Sequence, residues 1–218
     1  MTVLVLDDEV QPDYRYLGPE IDRLAGDSEY LVAPESDSPF NNEITVDPTD
    51  YDGIIISGST ASVYEAQQEF VKRQQRLIRE CINESIPLLG ICFGHQLVNY
   101  ALGGEVREDR RRATFVRMSV TDADDPVLSG VEPVVPVLHS DLVVELGDGL
   151  RSIATTDYNE NFCTRHETAP IWTVQYHPEF TERVEENPSD WTRGDYDFTD
   201  STATKTISNF VEVCHSKD

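Results

Sequence analysis

Apolar positions run along this chain in two rhythms. Residues 2–6, 53–57 and 87–91 are nearly unbroken apolar runs, the pattern of strands buried on both faces of a parallel sheet. Tyr30–Ala33 predicts a further strand. Between the runs the spacing becomes helical. Phe70, Leu77, Ile78, Cys81 and Ile82 form one stripe across 69–84, and 94–102 follows the third run directly. Residues 19–25 predict a short helix, with Pro19 in its first turn and Gly26 at its end. Residues 34–52 are rich in Pro, Asp, Ser and Asn and read as a loop.

Past Gly103-Gly104 the pattern changes. Residues 114–120, 134–138, 142–146, 152–155 and 171–175 read as strands joined by short turns, and about 202–214 as a helix packing back on the sheet. Alternating β and α followed by a run of strands predicts an α/β fold: a doubly wound, mostly parallel sheet with added antiparallel strands. The length suits a single domain over 1–218, without internal repeats. Residues 182–200 are polar, acidic and punctuated by Trp191, Tyr196 and Phe198. They are expected to form an inserted loop or lid, long enough to suggest a functional or interaction role.

Charge narrows the picture. The chain carries 41 acidic and 17 basic residues, a net charge of -24, and only three lysines. Such a surface repels nucleic acid. Self-repulsion on this scale needs screening, so a halophilic, high-salt cytosol is expected. The single basic cluster, Arg107, Arg110, Arg111 and Arg112, reads as a solvated loop paired with Glu105, Glu108 and Asp109; the other reading is a docking patch. The sequence contains no apolar run of about 18 residues, and its first residues are a strand followed by acid rather than a signal peptide. A cytoplasmic location without membrane contact is therefore expected. Four scattered cysteines without a CxxC pair suit reduced thiols, with no metal and no cofactor expected.

The chemistry concentrates at Gly90-Ile91-Cys92-Phe93-Gly94-His95-Gln96, directly after a strand. A lone cysteine is usually a packing residue. Here glycines bracket it where strand, turn and helix crowd together, the arrangement that exposes a nucleophile. Cys92 would sit at a helix N-terminus, where aligned N–H groups favour a thiolate. A cysteine nucleophile needs a base, and the base an orienting acid. His177, in His177-Pro178-Glu179, follows the strand 171–175, and Glu179 can turn back to its imidazole. His95 is the less favoured base because it points along the helix. Ser57-Gly58-Ser59-Thr60 ends another strand and can aim an N–H at an oxyanion, with the N–H of Phe93 as second donor.

With these two motifs in place, the chain resembles the class I (triad) glutamine amidotransferases over nearly its whole length. The resemblance implies their flavodoxin-like fold and hydrolysis of the glutamine side-chain amide. It implies Cys92 as nucleophile, His177 as proton shuttle, Glu179 as orienter, Gly58 and Phe93 as oxyanion donors, and Gln96 on the substrate. The segment His139-Ser140-Asp141 resembles the family's segment for the substrate's α-amino and carboxylate groups; Ser59 stands beside the oxyanion turn. Many members carry Ser-Gly-Gly-Pro where this chain has Ser57-Gly58-Ser59-Thr60. The latter, with Ser62-Val63-Tyr64, is closer to the stand-alone, GMP-synthase-like members. The chain has no phosphate-binding P-loop, so an ATP-dependent synthetase is the expected partner. A γ-glutamyl peptidase using the same triad is the alternative, and a non-catalytic regulator a third that does not need the triad.

Overall fold

A computed structural model describes residues 2–35, 46–65 and 69–216. The elements run β1 (Val3–Asp7), α1 (Gly18–Ala25), β2 (Ser28–Val32), β3 (Gly53–Ile56), α2 (Glu69–Glu84), β4 (Leu88–Ile91) and α3 (Phe93–Ala101). They continue β5 (Glu105–Arg117), β6 (Ser119–Val120), β7 (Val134–Glu145), β8 (Leu150–Thr155), β9 (Cys163–His166), β10 (Ile171–Val174) and α4 (Lys205–His215). Eight strands form one sheet in the order β2-β1-β3-β4-β10-β9-β8-β6. The first five are mutually parallel, and the last three are joined by antiparallel pairs.

Strand pleating divides the core between the two faces. Val3, Val5, Ile55 and Leu89 pack with Ile21 of α1 and Ile207 and Phe210 of α4. Leu4, Leu6, Ile54, Ile56 and Leu88 pack on the other face with α2 and α3. That is the doubly wound architecture expected from the apolar runs. The chain reverses its winding between β1 and β3, and the carboxyl ends of β1, β3, β4 and β10 open on one edge, where such sheets bind ligands.

The second half differs from expectation in three ways. The arginine cluster is not a loop: β5 begins at Glu105 and pairs with β7 in a separate two-stranded ribbon. Its Glu/Asp/Arg sequence hides a strand because that edge is mostly exposed. The segments 134–138 and 142–146 are one strand, β7, which runs through the polar His139-Ser140-Asp141. Strand β9 is an addition to the expected set, since Cys163-Thr164-Arg165-His166 offers almost no apolar signal. Of the loop expected over 34–52, residues 36–45 lie outside the described residues. No helix among the described residues is long and apolar enough to cross a membrane.

Candidate active site

Strand β4 ends at Ile91, and Cys92 turns the chain into α3 with φ 52° and ψ -100°. That left-handed conformation is costly for a residue with a Cβ and persists only where its surroundings enforce it. Both neighbouring glycines are required by space. A Cβ on Gly90 would lie 2.6 Å from the Gly94 carbonyl oxygen, and one on Gly94 would lie 2.4 Å from that of Ile56. The Cys92 N–H donates to Val174 O at 2.8 Å, tying the turn to the end of β10. Phe93 is the first residue of α3, so its N–H has no intrahelical acceptor.

Three residues beyond β10, His177 is buried, and its Nδ1–H donates to Glu179 Oε1 at 2.7 Å. The His177 backbone N–H donates to Pro136 O of β7 at 2.9 Å. Burial works against the imidazolium, but the charges of Cys92 and Glu179 outweigh it and raise the His177 pKa to about 10. Nε2 of His177 is buried, and besides Glu179 the ring interacts with the Cys92 side chain through charge and hydrogen bonding. Gly58 lies directly over this pair: a Cβ there would stand 2.8 Å from His177 Cε1 and 3.6 Å from Cys92 Cβ.

His95 is no competitor. Its ring is fully buried, Nδ1 pairs with Thr173 Oγ1 at 2.6 Å, and burial, with His139 nearby, lowers its pKa to about 3.

Cys92, His177, Gly58, Ser59, Gln96, His139, Ser140 and Asp141 line one cavity of about 690 Å³. The sequence-derived residues therefore converge, apart from the buried Glu179 and Phe93, which stand behind its wall. Gln96 Nε2 donates to Asp141 O at 3.1 Å and to Gln175 Oε1 at 3.3 Å, joining α3 to β7 and to the residue that follows β10. The Asp141 carboxylate is already engaged: it accepts from Ser62 Oγ at 2.9 Å and Tyr64 Oη at 3.2 Å. His139 stacks on Tyr158, and its Nδ1–H donates to Asp141 O at 3.2 Å. Burial and the Arg112 guanidinium lower its pKa to about 3, so it is neutral.

Sequence reasoning missed the rest of the cavity wall. Asp7 and Glu9 at the end of β1 line it, as do Ser189 and Asp190 of the acidic segment. That segment is anchored: Thr192 bridges to Thr114, and Trp191 packs on Phe180, Phe115 and Phe198. The signal for this was two of its aromatics, Trp191 and Phe198. Three of the four arginines are paired and Arg107, Arg110 and Arg111 are exposed, as the solvated reading expected, but Arg112 is buried over the Tyr158 ring. Arg107 pairs with Glu105 and Arg112 with Asp109, while Arg111 reaches Asp190 at 2.9 Å.

Chemically, the arrangement joins a thiol on a strained turn, an imidazole held by a buried carboxylate, and backbone donors beside them. The family model for class-I glutamine amidotransferases matches residues 29–189. The chain is 31% identical over 180 residues to one subunit of the glutamine-hydrolyzing GMP synthase from Methanosarcina acetivorans, covering 81% of this chain and 79% of that one. It is 28% identical over 179 residues to the Porphyromonas gingivalis glutamine-hydrolyzing GMP synthase, covering 81% of this chain but spanning only 31% of that protein's length. Among solved structures, a glutamine amidotransferase from Thermotoga maritima superposes with a TM-score of 0.73 at 18% identity, covering 100% of this chain and 99% of that one. The match over 29–189 includes the cysteine turn and the His177-Pro178-Glu179 segment: the chain belongs to the class-I glutamine amidotransferase family.

Proposed function

We propose that this chain hydrolyses the side-chain amide of glutamine and passes the ammonia to a separate ATP-dependent synthetase of the GMP-synthase type, in a salt-rich cytoplasm. The observation that carries the reading is the left-handed Cys92 turn beside His177 on one cavity, with the buried Glu179 holding His177 from behind. In the resting site the raised His177 pKa favours an imidazolium beside the Cys92 thiolate. The thiolate attacks the carboxamide carbon, and the N–H groups of Gly58 and Phe93 receive the developing oxyanion. His177 gives its Nε2 proton to the leaving nitrogen, and ammonia departs from a γ-glutamyl thioester. Water then attacks the thioester while the neutral imidazole takes its proton. Collapse expels the thiolate, restores the ion pair and releases glutamate. Glu179 holds the imidazole in the Nδ1–H tautomer throughout. Gln96, Ser59, Ser140 and the His139–Asp141 backbone supply the polar wall that seats the amino-acid end of the substrate.

The GMP-synthase assignment rests on the relatives' activity and on the length shared with the Methanosarcina protein. The test is ammonia release from glutamine by the purified chain, alone and with a GMP-synthase ATP-pyrophosphatase subunit. The reading expects release that Cys92→Ala abolishes and the second protein stimulates. Release that survives Cys92→Ala contradicts the thioester route. Absence of stimulation contradicts the partner.

A further inference from the structure

The acid run at the end of β1 does more than line the cavity. Glu9 is buried, yet its carboxylate binds neutral donors. Oε2 accepts the Thr60 N–H at 2.8 Å; Oε1 accepts the Thr60 hydroxyl at 2.6 Å and the Gln11 N–H at 2.8 Å. Gln11 Nε2 closes the ring by donating to Thr60 Oγ1 at 2.9 Å. A buried carboxylate is costly unless its oxygens are satisfied, and here most of that satisfaction comes from one residue of one turn.

That turn carries Gly58. On its other side, Ser57 O accepts the Gly94 N–H at 3.1 Å, while Ser57 Oγ accepts the Asp8 N–H at 2.9 Å and donates to Gly58 O at 2.8 Å. Peptide groups are planar, so the Gly58 N–H shares a plane with the Ser57 carbonyl, and these bonds steady that plane from the N-terminal side of the turn. Two residues further along, Glu9 takes both the N–H and the hydroxyl of Thr60, and Gln11 adds one bond to that hydroxyl. Without Glu9 the Thr60 N–H loses its acceptor and the far end of the turn keeps only the Gln11 bond.

We infer that Glu9, acting through Thr60, is a positioning residue that latches the 57–60 turn and holds the Gly58 N–H in register with Cys92. The inference rests on the proposed oxyanion role of Gly58 and adds a residue that acts through Thr60. Glu9→Gln leaves a single acceptor oxygen where the carboxylate has two. The expected result is a fall in kcat for glutamine of about tenfold with KM held within about twofold. Alkylation of Cys92 by iodoacetamide, which needs the thiolate but no oxyanion donor, keeps its wild-type rate. Thr60→Val reproduces the kcat loss, and the double variant is no slower than either single one. Amide order parameters measured by NMR fall at Gly58, Ser59 and Thr60 in both single variants and stay unchanged at Cys92 and His177. Wild-type kcat in Glu9→Gln, a matching loss of Cys92 alkylation, additive losses in the double variant, or unchanged order parameters overturns the latch. If Glu9→Gln does not fold, Thr60→Val decides by the same readouts. If the wild-type protein releases no ammonia from glutamine, the glutamine reading fails, and the latch stands or falls on the order parameters alone.

Discussion

Replacing Glu179 by Gln preserves the size of the side chain and removes its charge. Glu179 is fully buried and accepts the Nδ1–H of His177 at 2.7 Å. A hydrogen bond to a charged group contributes about 1.5–3 kcal/mol, so kcat/KM for glutamine should fall roughly 10- to 150-fold. The pH profile should move as well. His177 is held protonated up to about 10 against its own burial, and Glu179 is one of two negative charges responsible. Removing that charge lets desolvation regain ground, and the alkaline limb should shift down by about 1–2 pH units. Stability follows the same sign. A folded pKa raised above the ordinary 6.5 contributes stability that is fully present below 6.5 and is lost as pH rises through about 10. The variant should therefore lose most stability at acidic to neutral pH and least at the alkaline end. The assay is ammonia release from glutamine across that range, with urea unfolding at matched pH values. Wild-type kcat/KM with an unmoved alkaline limb would refute the assignment of Glu179 as the charge that sustains His177.

Four further outcomes follow from the geometry. Gly58→Ala places a methyl group 2.8 Å from His177 Cε1, so the ring or the turn must shift; kcat should drop about 100-fold with a melting temperature near wild type, and an active variant would contradict the fit. Asp8 is buried against Gln74, which donates to its Oδ1, while Asp8 Oδ2 and Gln74 Oε1 have no partner among the described residues, the pattern of a protonated acid pairing with an amide. Burial raises the Asp8 pKa well above 3.8, so this group makes stability fall by about 1.4 kcal/mol per pH unit from 3.8 upward until the folded pKa is passed; Asp8→Asn should flatten that slope and raise unfolding stability at pH about 8, and a destabilised variant there would exclude the acid–amide pair. Trp191→Ala removes ring contacts at 4.4 Å to Phe180 and 5.2 Å to Phe115, which should lower urea stability by about 2–4 kcal/mol and slow turnover through Phe180, the neighbour of Glu179; an unchanged midpoint would mean that the segment is not braced this way. With 41 acidic residues against 17 basic, the melting temperature should climb between low and molar KCl, and a flat response would remove the halophilic reading.

The chemistry of the cavity was more legible than its walls. Cys92, His177 and Glu179 sit on short turns next to unbroken apolar strands, so local pattern places each of them and the parallel sheet brings them together. The acceptors and donors that steady them come from chain separated by dozens of residues. Nothing near Glu9 announces that it meets Thr60, and nothing near Asp141 announces Ser62 and Tyr64. Asp141 resembles a substrate ligand by its sequence context, yet its carboxylate is occupied by two hydroxyls. The ribbon β5–β7 was hidden for another reason. Its strands contribute buried residues but meet solvent at residues 107–111 and the polar cavity at residues 139–141, so the hydrophobic pattern is broken there and backbone pairing carries the ribbon through.

The most direct test is to quench the protein during turnover of glutamine and search its peptides by mass spectrometry for a γ-glutamyl adduct. The mechanism predicts the adduct on the peptide bearing Cys92, at a level that falls when Cys92→Ala removes the thiol. Ammonia released at the wild-type rate by Cys92→Ala, or an adduct confined to Cys81, Cys163 or Cys214, would contradict it.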